Sequence, residues 1–271
     1  MENRKFGNTG LTPSILGFGM MRLKKREDGS IDEQWAIETL RKAIDNGLTY
    51  VDTAYVYPDS ERVTGLCLQD GYRDKVTLAT KLPVSMMKCE EDFDRILNEE
   101  LERLQTDHID LYLMHALSAD RWPSVEKFKV IEKMEKAKAE GKIRHIGFSS
   151  HTPRVANRII DTGLADMMMF SLNPAYDFEK GDEYGVGSVS ERFELFKRCE
   201  REGVGISVMK PFFAGQLLTA EQSPFGVALT HAQCLQYALD RPGVLVAVPG
   251  VQTMEHLDTL LKFLTATEKE R

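Results

Sequence analysis

With 271 residues, 42% of them hydrophobic and 28% charged, the chain has the composition of a globular protein and about the length of one α/β barrel. A formal charge of -7 argues against a nucleic-acid surface, which needs clustered Lys and Arg to displace counterions; the stretch from Lys127 to Lys142 has interleaved glutamates and reads as a solvated helix face. No apolar run approaches the roughly 18 to 20 residues of a membrane span, and Met1 to Phe6 is polar without a signal-peptide core, so a cytoplasmic location is expected.

Taken in chain order, Lys5 to Ser14 carries Gly7, Asn8, Thr9 and Gly10 between two short extended pieces and predicts a small β-hairpin. Short β-rich apolar runs then alternate with longer stretches of helical period. Strand Ser14–Gly19 precedes helix Asp32–Asn46, and strand Thr49–Thr53 precedes helix Ser60–Gln69. Strand Lys75–Thr80 leads to helix Glu90–Leu104, and strand Ile109–Met114 to helix Ser124–Glu140. Strand Ile143–Phe148 and helix Pro153–Thr162 follow, then strand Asp166–Phe170 and helix Val189–Glu202. Strand Gly205–Val208, helix Thr230–Leu239, strand Val244–Val248 and helix Thr253–Leu264 close the series. Apolar residues three and four apart, as in Ile37, Leu40, Ala43 and Ile44, give each helix one face to bury. Gly47, Gly141, Gly163 and Gly203 suit left-handed caps before return strands.

Eight strand-then-helix repeats with long crossovers predict a parallel (β/α)8 TIM barrel with an N-terminal β-hairpin, one domain over residues 1–271. A doubly wound sheet is the competitor, but no GxGxxG follows the first strand to cradle a pyrophosphate. The longest stretch without a period is Asn173–Ser188, a length usual for functional or mobile loops. Cys67, Cys89, Cys199 and Cys234 form no CxxC or zinc spacing, so reduced thiols packed as small hydrophobes are expected, with no metal site.

Several strands run out into polar residues: Asp52, Lys81, His115 and the pair Ser149–Ser150. In a parallel barrel such ends share one face, where catalytic residues converge. Singly, Asp52 reads as a turn or cap residue, Lys81 as a surface charge and His115 as a hydrogen-bonded core edge. Together they have a chemical logic, because Lys81 and Asp52 on nearby strand ends neutralise each other where either alone is costly to bury. Tyr57 lies in the loop leaving the Asp52 strand, and an adjacent ammonium favours its phenolate, bringing it toward neutral-pH acid–base work. Tyr55 is a rival for that role.

The run Asp52-Thr53-Ala54-Tyr55-Val56-Tyr57, then Ser60-Glu61 and Gly65, Ala79-Thr80-Lys81 and Asp110-Leu111-Tyr112-Leu113-Met114-His115 resembles the aldo-keto reductase family over nearly the whole chain. The resemblance implies an NAD(P)H-dependent oxidoreductase reducing aldehydes or ketones to alcohols, with Asp52, Tyr57, Lys81 and His115 as the catalytic tetrad. Tyr57, not Tyr55, matches the proton donor; Lys81 would lower its pKa, Asp52 would hold Lys81, and His115 would orient the carbonyl oxygen.

The resemblance also implies a dinucleotide extended across the mouth. Gly19, Met20 and Asp52 border it, Ser149 matches the nicotinamide-amide ligand, and Ser150 stands where an asparagine is more usual. Met169 replaces a glutamine and Met209 a ring-stacking aromatic; Lys210, Pro211, Phe212 and Gly215 match the pyrophosphate loop. Pro249, Gly250, Gln252 and His256 match the adenosine end, with His256 in place of the arginine for the 2′-phosphate. Family habit favours NADPH, with NADH as the second option. Gly17 to Arg22, Asn173 to Asp177 and Met209 to Phe212 resemble a bacterial subgroup whose members often carry a ferredoxin-like cysteine-rich tail, and no cluster is expected here. Trp122, Phe178 and Tyr184 are candidate pocket aromatics. The expected partner is a small carbonyl substrate, without nucleic acid or membrane, on a monomer. The rival readings are a Lys81 Schiff-base aldolase or lyase on the same barrel, and an NADP(H)-binding sensor or regulatory protein with little turnover.

Overall fold

The computed structural model describes residues 2–266. In chain order it has β1 (Gly17–Gly19), α1 (Glu33–Asp45), β2 (Tyr50–Asp52), α2 (Ser60–Cys67), β3 (Thr77–Leu82), α3 (Glu91–Leu104), β4 (Ile109–Leu117), α4 (Trp122–Lys127) and α5 (Val130–Ala139). These are followed by β5 (Ile143–Ser150), α6 (Pro153–Ile160), β6 (Met167–Ser171), α7 (Pro174–Asp177), α8 (Val189–Glu202), β7 (Gly205–Met209), α9 (His231–Leu239), β8 (Val244–Ala247) and α10 (Met254–Thr265). The eight strands lie in the order β1 to β8, each parallel to the next. Parallel bridges Leu16 to Ala247 and Gly19 to Gly250 bring the last strand back to the first. This is the expected (β/α)8 barrel.

The N-terminal segment folds back antiparallel, with Phe6 N–H on the Leu11 carbonyl at 2.6 Å and a bridge from Asn3 to Ser14. Phe6 is fully buried and stacks on Tyr50 at 6.2 Å, joining Leu111, Met167 and Val246 in the inner cluster of the barrel. The hairpin thus plugs one end of the barrel, and the catalytic candidates occupy the other.

Helix prediction over 124–140 misses a break. Lys129 takes a left-handed φ of 48°, ending α4 and starting α5. Trp122, Val125 and Phe128 form one buried stripe and Val130, Met134 and Ala137 a second; the break lets both face inward, which one continuous helix of this sequence would not. The long loop after β6 contains α7 and is tied down from within. Arg192 of α8, 1% exposed, donates from Nε to Asp177 Oδ1 and from Nη2 to the Ser171 carbonyl, both at 2.7 Å. The Tyr237 hydroxyl donates to the other Asp177 oxygen at 3.1 Å. Of the cysteines, Cys67, Cys199 and Cys234 are buried as expected, whereas Cys89 is exposed. Among the described residues no helix is long and apolar enough to cross a membrane.

Gly65 is where α2 meets α3: a Cβ there would sit 2.5 Å from the Arg103 carbonyl oxygen, a backbone atom that cannot swing aside. Gly65→Ala is therefore expected to cost about 1–3 kcal/mol by overpacking, read in thermal unfolding as a Tm several degrees lower, whereas an unchanged Tm would mean the two helices are further apart.

Candidate active site

Strand alternation sets which side chains look into the barrel. The register links Gly19 to Asp52 and Asp52 to Ala79, then Lys81 to Leu113, Leu113 to Gly147, and Ser149 to Met169. Asp52, Lys81, Ser149 and Met169 therefore share the inner face, at the strands' carboxyl ends. Strands β3, β4 and β5 run on past the predicted ends, so Lys81, His115, Ser149 and Ser150 are strand residues and not loop residues. That gives them a rigid mount.

Lys81 is 1% exposed, and its ammonium uses all its N–H groups. It donates to Asp52 Oδ1 at 2.8 Å, to Asp52 Oδ2 at 2.7 Å and to the Thr53 carbonyl at 2.6 Å. Burial disfavours the charged lysine, but attraction to Asp52 and to Tyr57 outweighs it, so its pKa rises and the ammonium stays charged. The Tyr57 ring centre lies 5.2 Å from that nitrogen, and the ring meets His115 edge-on at 5.8 Å. Burial raises the Tyr57 phenol above its ordinary pKa; Lys81 pulls it down and Asp52 pushes it up. The lysine's lowering effect is thus present but outweighed, which corrects the net shift expected from sequence. The phenol stays protonated at neutral pH. His115 is pushed down to about 3, first by burial and then by Lys81 and Arg121, so its imidazole is neutral.

Tyr55 is committed elsewhere: its hydroxyl donates to Glu99 Oε2 at 2.7 Å and Arg103 stacks on its ring at 4.3 Å. The loop carrying Tyr57 is anchored by Ser60, whose hydroxyl bonds Thr53 Oγ1 at 2.8 Å and the Met20 carbonyl at 2.9 Å.

The cofactor candidates fall around the same mouth, with differences among them. Ser149 Oγ accepts the Ala116 N–H at 2.7 Å, while Ser150 alternates to the outer face, is fully buried, and donates to the Leu117 carbonyl at 2.8 Å. Ser150 is therefore set apart from the cluster at the mouth. Met169 and Met209 belong to the inner cluster. The loop after β7 is strained: Lys210, Phe213 and Ala214 take left-handed φ of 60°, 50° and 55° without being glycine. The Asn173 amide holds it, donating to the Lys210 carbonyl at 2.9 Å, and the Lys210 ammonium rests 3.6 Å from the Tyr184 ring centre. Pro211 is buried, Phe212 packs on His231 at 5.0 Å, and Gly215 follows at φ 96°. The Pro249 carbonyl accepts the Gly19 N–H at 3.2 Å, Gly250 lies beside the Arg22 stem, and Thr253 caps α10 through the His256 N–H. Gln252 and His256 are exposed there.

Some residues of this region were given no role from the sequence. His151 bonds Ser171 Oγ at 3.2 Å, packs on Tyr184 at 4.8 Å and is pushed down to about 4 by burial and Lys210; its place after the two serines was the available hint. Behind the barrel wall, Glu61 accepts the Thr80 hydroxyl at 2.6 Å and Glu100 the Tyr112 hydroxyl at 2.5 Å. Burial raises both carboxyls, Glu100 well above its ordinary value. This pair braces α2 and α3 against β3 and β4 and does not face the mouth. Trp122 and Phe178 lie away from Tyr57 in their packing: Trp122 is buried under Arg158, and Phe178 is exposed against Phe225.

Comparison with known proteins agrees with the geometry. The sequence model of the aldo/keto reductase family matches residues 15–233. The chain is 28% identical over 302 aligned positions to aldo-keto reductase YhdN of Bacillus subtilis, covering 96% of this chain and 88% of that one. It is 32% identical to probable aldo-keto reductase 1 of Glycine max, over 78% of this chain and 61% of the relative. Among solved structures, aldo-keto reductase AKR11C1 of Bacillus halodurans, holo form, superposes with a TM-score of 0.78 at 25% identity, covering 98% and 92% of the two chains. An aldo/keto reductase of Klebsiella pneumoniae, solved with NADP and acetate, gives 0.77 at 23% identity over 100% and 93%. The fold and the family match together give an α/β-barrel oxidoreductase. The chain belongs to the aldo/keto reductase family.

Two outcomes follow for the buried charges. Lys81→Met strands the Asp52 carboxylate and is expected to cost about 3–5 kcal/mol in urea unfolding, while the double change Asp52→Leu with Lys81→Met recovers most of it; equal losses in both would mean the pair is not coupled. His115 and His151 have folded pKa values near 3 and 4, below the unfolded value of about 6.5. The unfolded chain then binds more protons between those values, so stability is full above about pH 6.5 and declines as pH falls. Replacing His151 with Gln should flatten part of that decline, measured as unfolding free energy against pH.

Proposed function

We propose that this protein reduces aldehydes or ketones to alcohols with a reduced nicotinamide cofactor, with Tyr57 as proton donor. The single observation that carries the reading is the Tyr57 ring beside the charged Lys81 and edge-on to a neutral His115 at the carboxyl ends of the strands. When bound, the nicotinamide supplies a hydride to the carbonyl carbon. Tyr57 gives its proton to the oxygen as negative charge develops there, and the Lys81 ammonium stabilises the phenolate left behind. Asp52 holds the ammonium in place. The neutral His115 is suited to donate one N–H to the carbonyl oxygen and so to fix its direction toward Tyr57. All four groups come from one barrel.

The residues present fit such a cofactor. Met169 and Met209 offer an apolar, polarizable floor at the inner mouth, and Ser149 lies beside it. The strained turn from Lys210 to Gly215, with the Lys210 ammonium, and the closely apposed Gly19 and Gly250 backbones, which carry no side chain, would border a pyrophosphate. Gln252, Thr253 and His256 at the start of α10 would meet the adenosine end. We favour NADPH, since one Klebsiella pneumoniae neighbour was solved with NADP and another with NADPH, with NADH as the second option because His256 lacks a guanidinium fork. The Schiff-base alternative needs a neutral lysine amine, and Lys81 has its pKa raised and its N–H groups filled.

Tyr57→Phe is expected to lower kcat for an active aldehyde by about 10² to 10⁴ with NADPH affinity nearly unchanged; steady-state NADPH oxidation and cofactor titration check this, and an unaltered kcat would remove Tyr57 from the role. Because His115 titrates only near pH 3, kcat/KM should show no histidine inflection between about pH 5 and 8.

A further inference from the structure

The loop following His115 carries a cation that the reduction chemistry leaves unused. Ala116 takes a left-handed φ of 49°, costly for a residue with a Cβ, and its peptide is held from both sides. Its N–H donates to Ser149 Oγ at 2.7 Å, and its carbonyl accepts from Arg121 Nη1 at 2.6 Å. Arg121 is half-buried, and the turn that places it is fixed by its own N–H on the Ser118 carbonyl at 3.1 Å. The guanidinium therefore sits in a defined position against the peptide that adjoins His115.

What Arg121 lacks is an ion-pair partner. Among the described residues no carboxylate lies within 4 Å of it, and its guanidinium makes no other hydrogen bond to them. Glu126, the acid of the following helix, is taken by Arg158 at 3.1 Å and by the Trp122 indole. Asp120 is exposed and bonds Ser118 first; Arg121 attracts it from its neighbouring position without forming an ion pair within 4 Å. Of the other cations of this region, Lys81 is engaged by Asp52, Arg192 by Asp177 and Lys210 by the Tyr184 ring, while Arg22, which among the described residues also has no carboxylate within 4 Å, lies on the Gly250 side of the mouth. Asp182 and Glu183 act on the Lys210 side of the mouth, whereas the charged groups acting on His115 are Lys81 and Arg121. With Lys81 neutralised by Asp52, the positive charge left on the His115 side of the mouth is that of Arg121.

We infer that Arg121 is a substrate-recognition residue and that the preferred substrates are small carbonyl compounds carrying a carboxylate, which the guanidinium fork binds while the carbonyl lies between Tyr57 and His115. This rests on the carbonyl-reductase reading above. A fork with one N–H already anchored loses little freedom on taking up a carboxylate, and bidentate geometry favours that group over a neutral amide.

The test compares matched pairs: para-carboxybenzaldehyde against para-formylbenzamide, and succinic semialdehyde against its amide, each with NADPH. The wild type is expected to favour the acid by about tenfold or more in kcat/KM, chiefly through KM, the size of a charge-assisted contact. Arg121→Gln should bring the acid-to-amide ratio within about twofold of unity, and Arg121→Lys should restore part of it. A purely structural role for Arg121, through Ala116, would lower both members alike and leave the ratio unmoved. Binding of para-hydroxymethylbenzoate and para-hydroxymethylbenzamide to the NADP-loaded protein, followed calorimetrically, reads the same ratio without turnover. Equal kinetic constants and equal binding for acid and amide, or a preference that survives Arg121→Gln, would overturn the inference. Selective binding of the acid without reduction of any aldehyde would uphold Arg121 as an anion-binding residue while refuting the reductase reading.

Discussion

The geometry of the site depends on the buried contact between Lys81 and Asp52. An ammonium that is 1% exposed persists only if fixed acceptors replace its water, and here two carboxylate oxygens and the Thr53 carbonyl do so within 2.8 Å. That requirement fixes the register of β2 against β3, because the lysine must reach across from the neighbouring strand. It also fixes the path of the chain just after Asp52, since the Thr53 carbonyl must turn inward. The loop that follows then has little freedom, and Ser60 closes it by bonding Thr53 and the Met20 carbonyl. Tyr57 is delivered over the ammonium as a consequence of these contacts.

The two ends of the barrel divide the labour. At one, Phe6 of the hairpin seals the interior against Tyr50 and the apolar inner layer. At the other, the inner positions become polar: burial keeps the phenol protonated and the imidazole neutral, while Asp52 overcomes its effect on Lys81. The cost of these choices is met by the outer shell, where paired networks such as Arg192 with Asp177 and Glu61 with Thr80 hold the loops and helices in place. Stability and positioning are thus concentrated behind the strands, leaving the mouth free to be strained at Ala116 and Lys210.

Much of this was legible in the sequence because period two and period 3.6 alternate cleanly, and because Asp52, Lys81 and His115 each interrupt an apolar strand at its end. The family resemblance implied Tyr57 rather than Tyr55, and Tyr55 is engaged by Glu99 and Arg103. Less legible were features that depend on contacts distant in sequence. The break at Lys129 reflects two inward stripes whose phases differ, which a single helical period cannot express. Ser150 reads as a polar strand end, yet strand alternation turns it outward onto Leu117. Arg121 and His151 look like ordinary loop residues until the barrel closes and brings them beside His115 and Ser171. The net Tyr57 shift went the other way because burial, which spacing does not reveal, outweighs the neighbouring cation.

The most direct measurement is a single turnover with NADPH deuterated at the nicotinamide C4, each face in turn, followed by mass spectrometry of the organic product. Hydride transfer at this mouth predicts an alcohol bearing deuterium on the former carbonyl carbon from one of the two labelled cofactors. An unlabelled product from both, or substrate captured on Lys81 by borohydride, would contradict it.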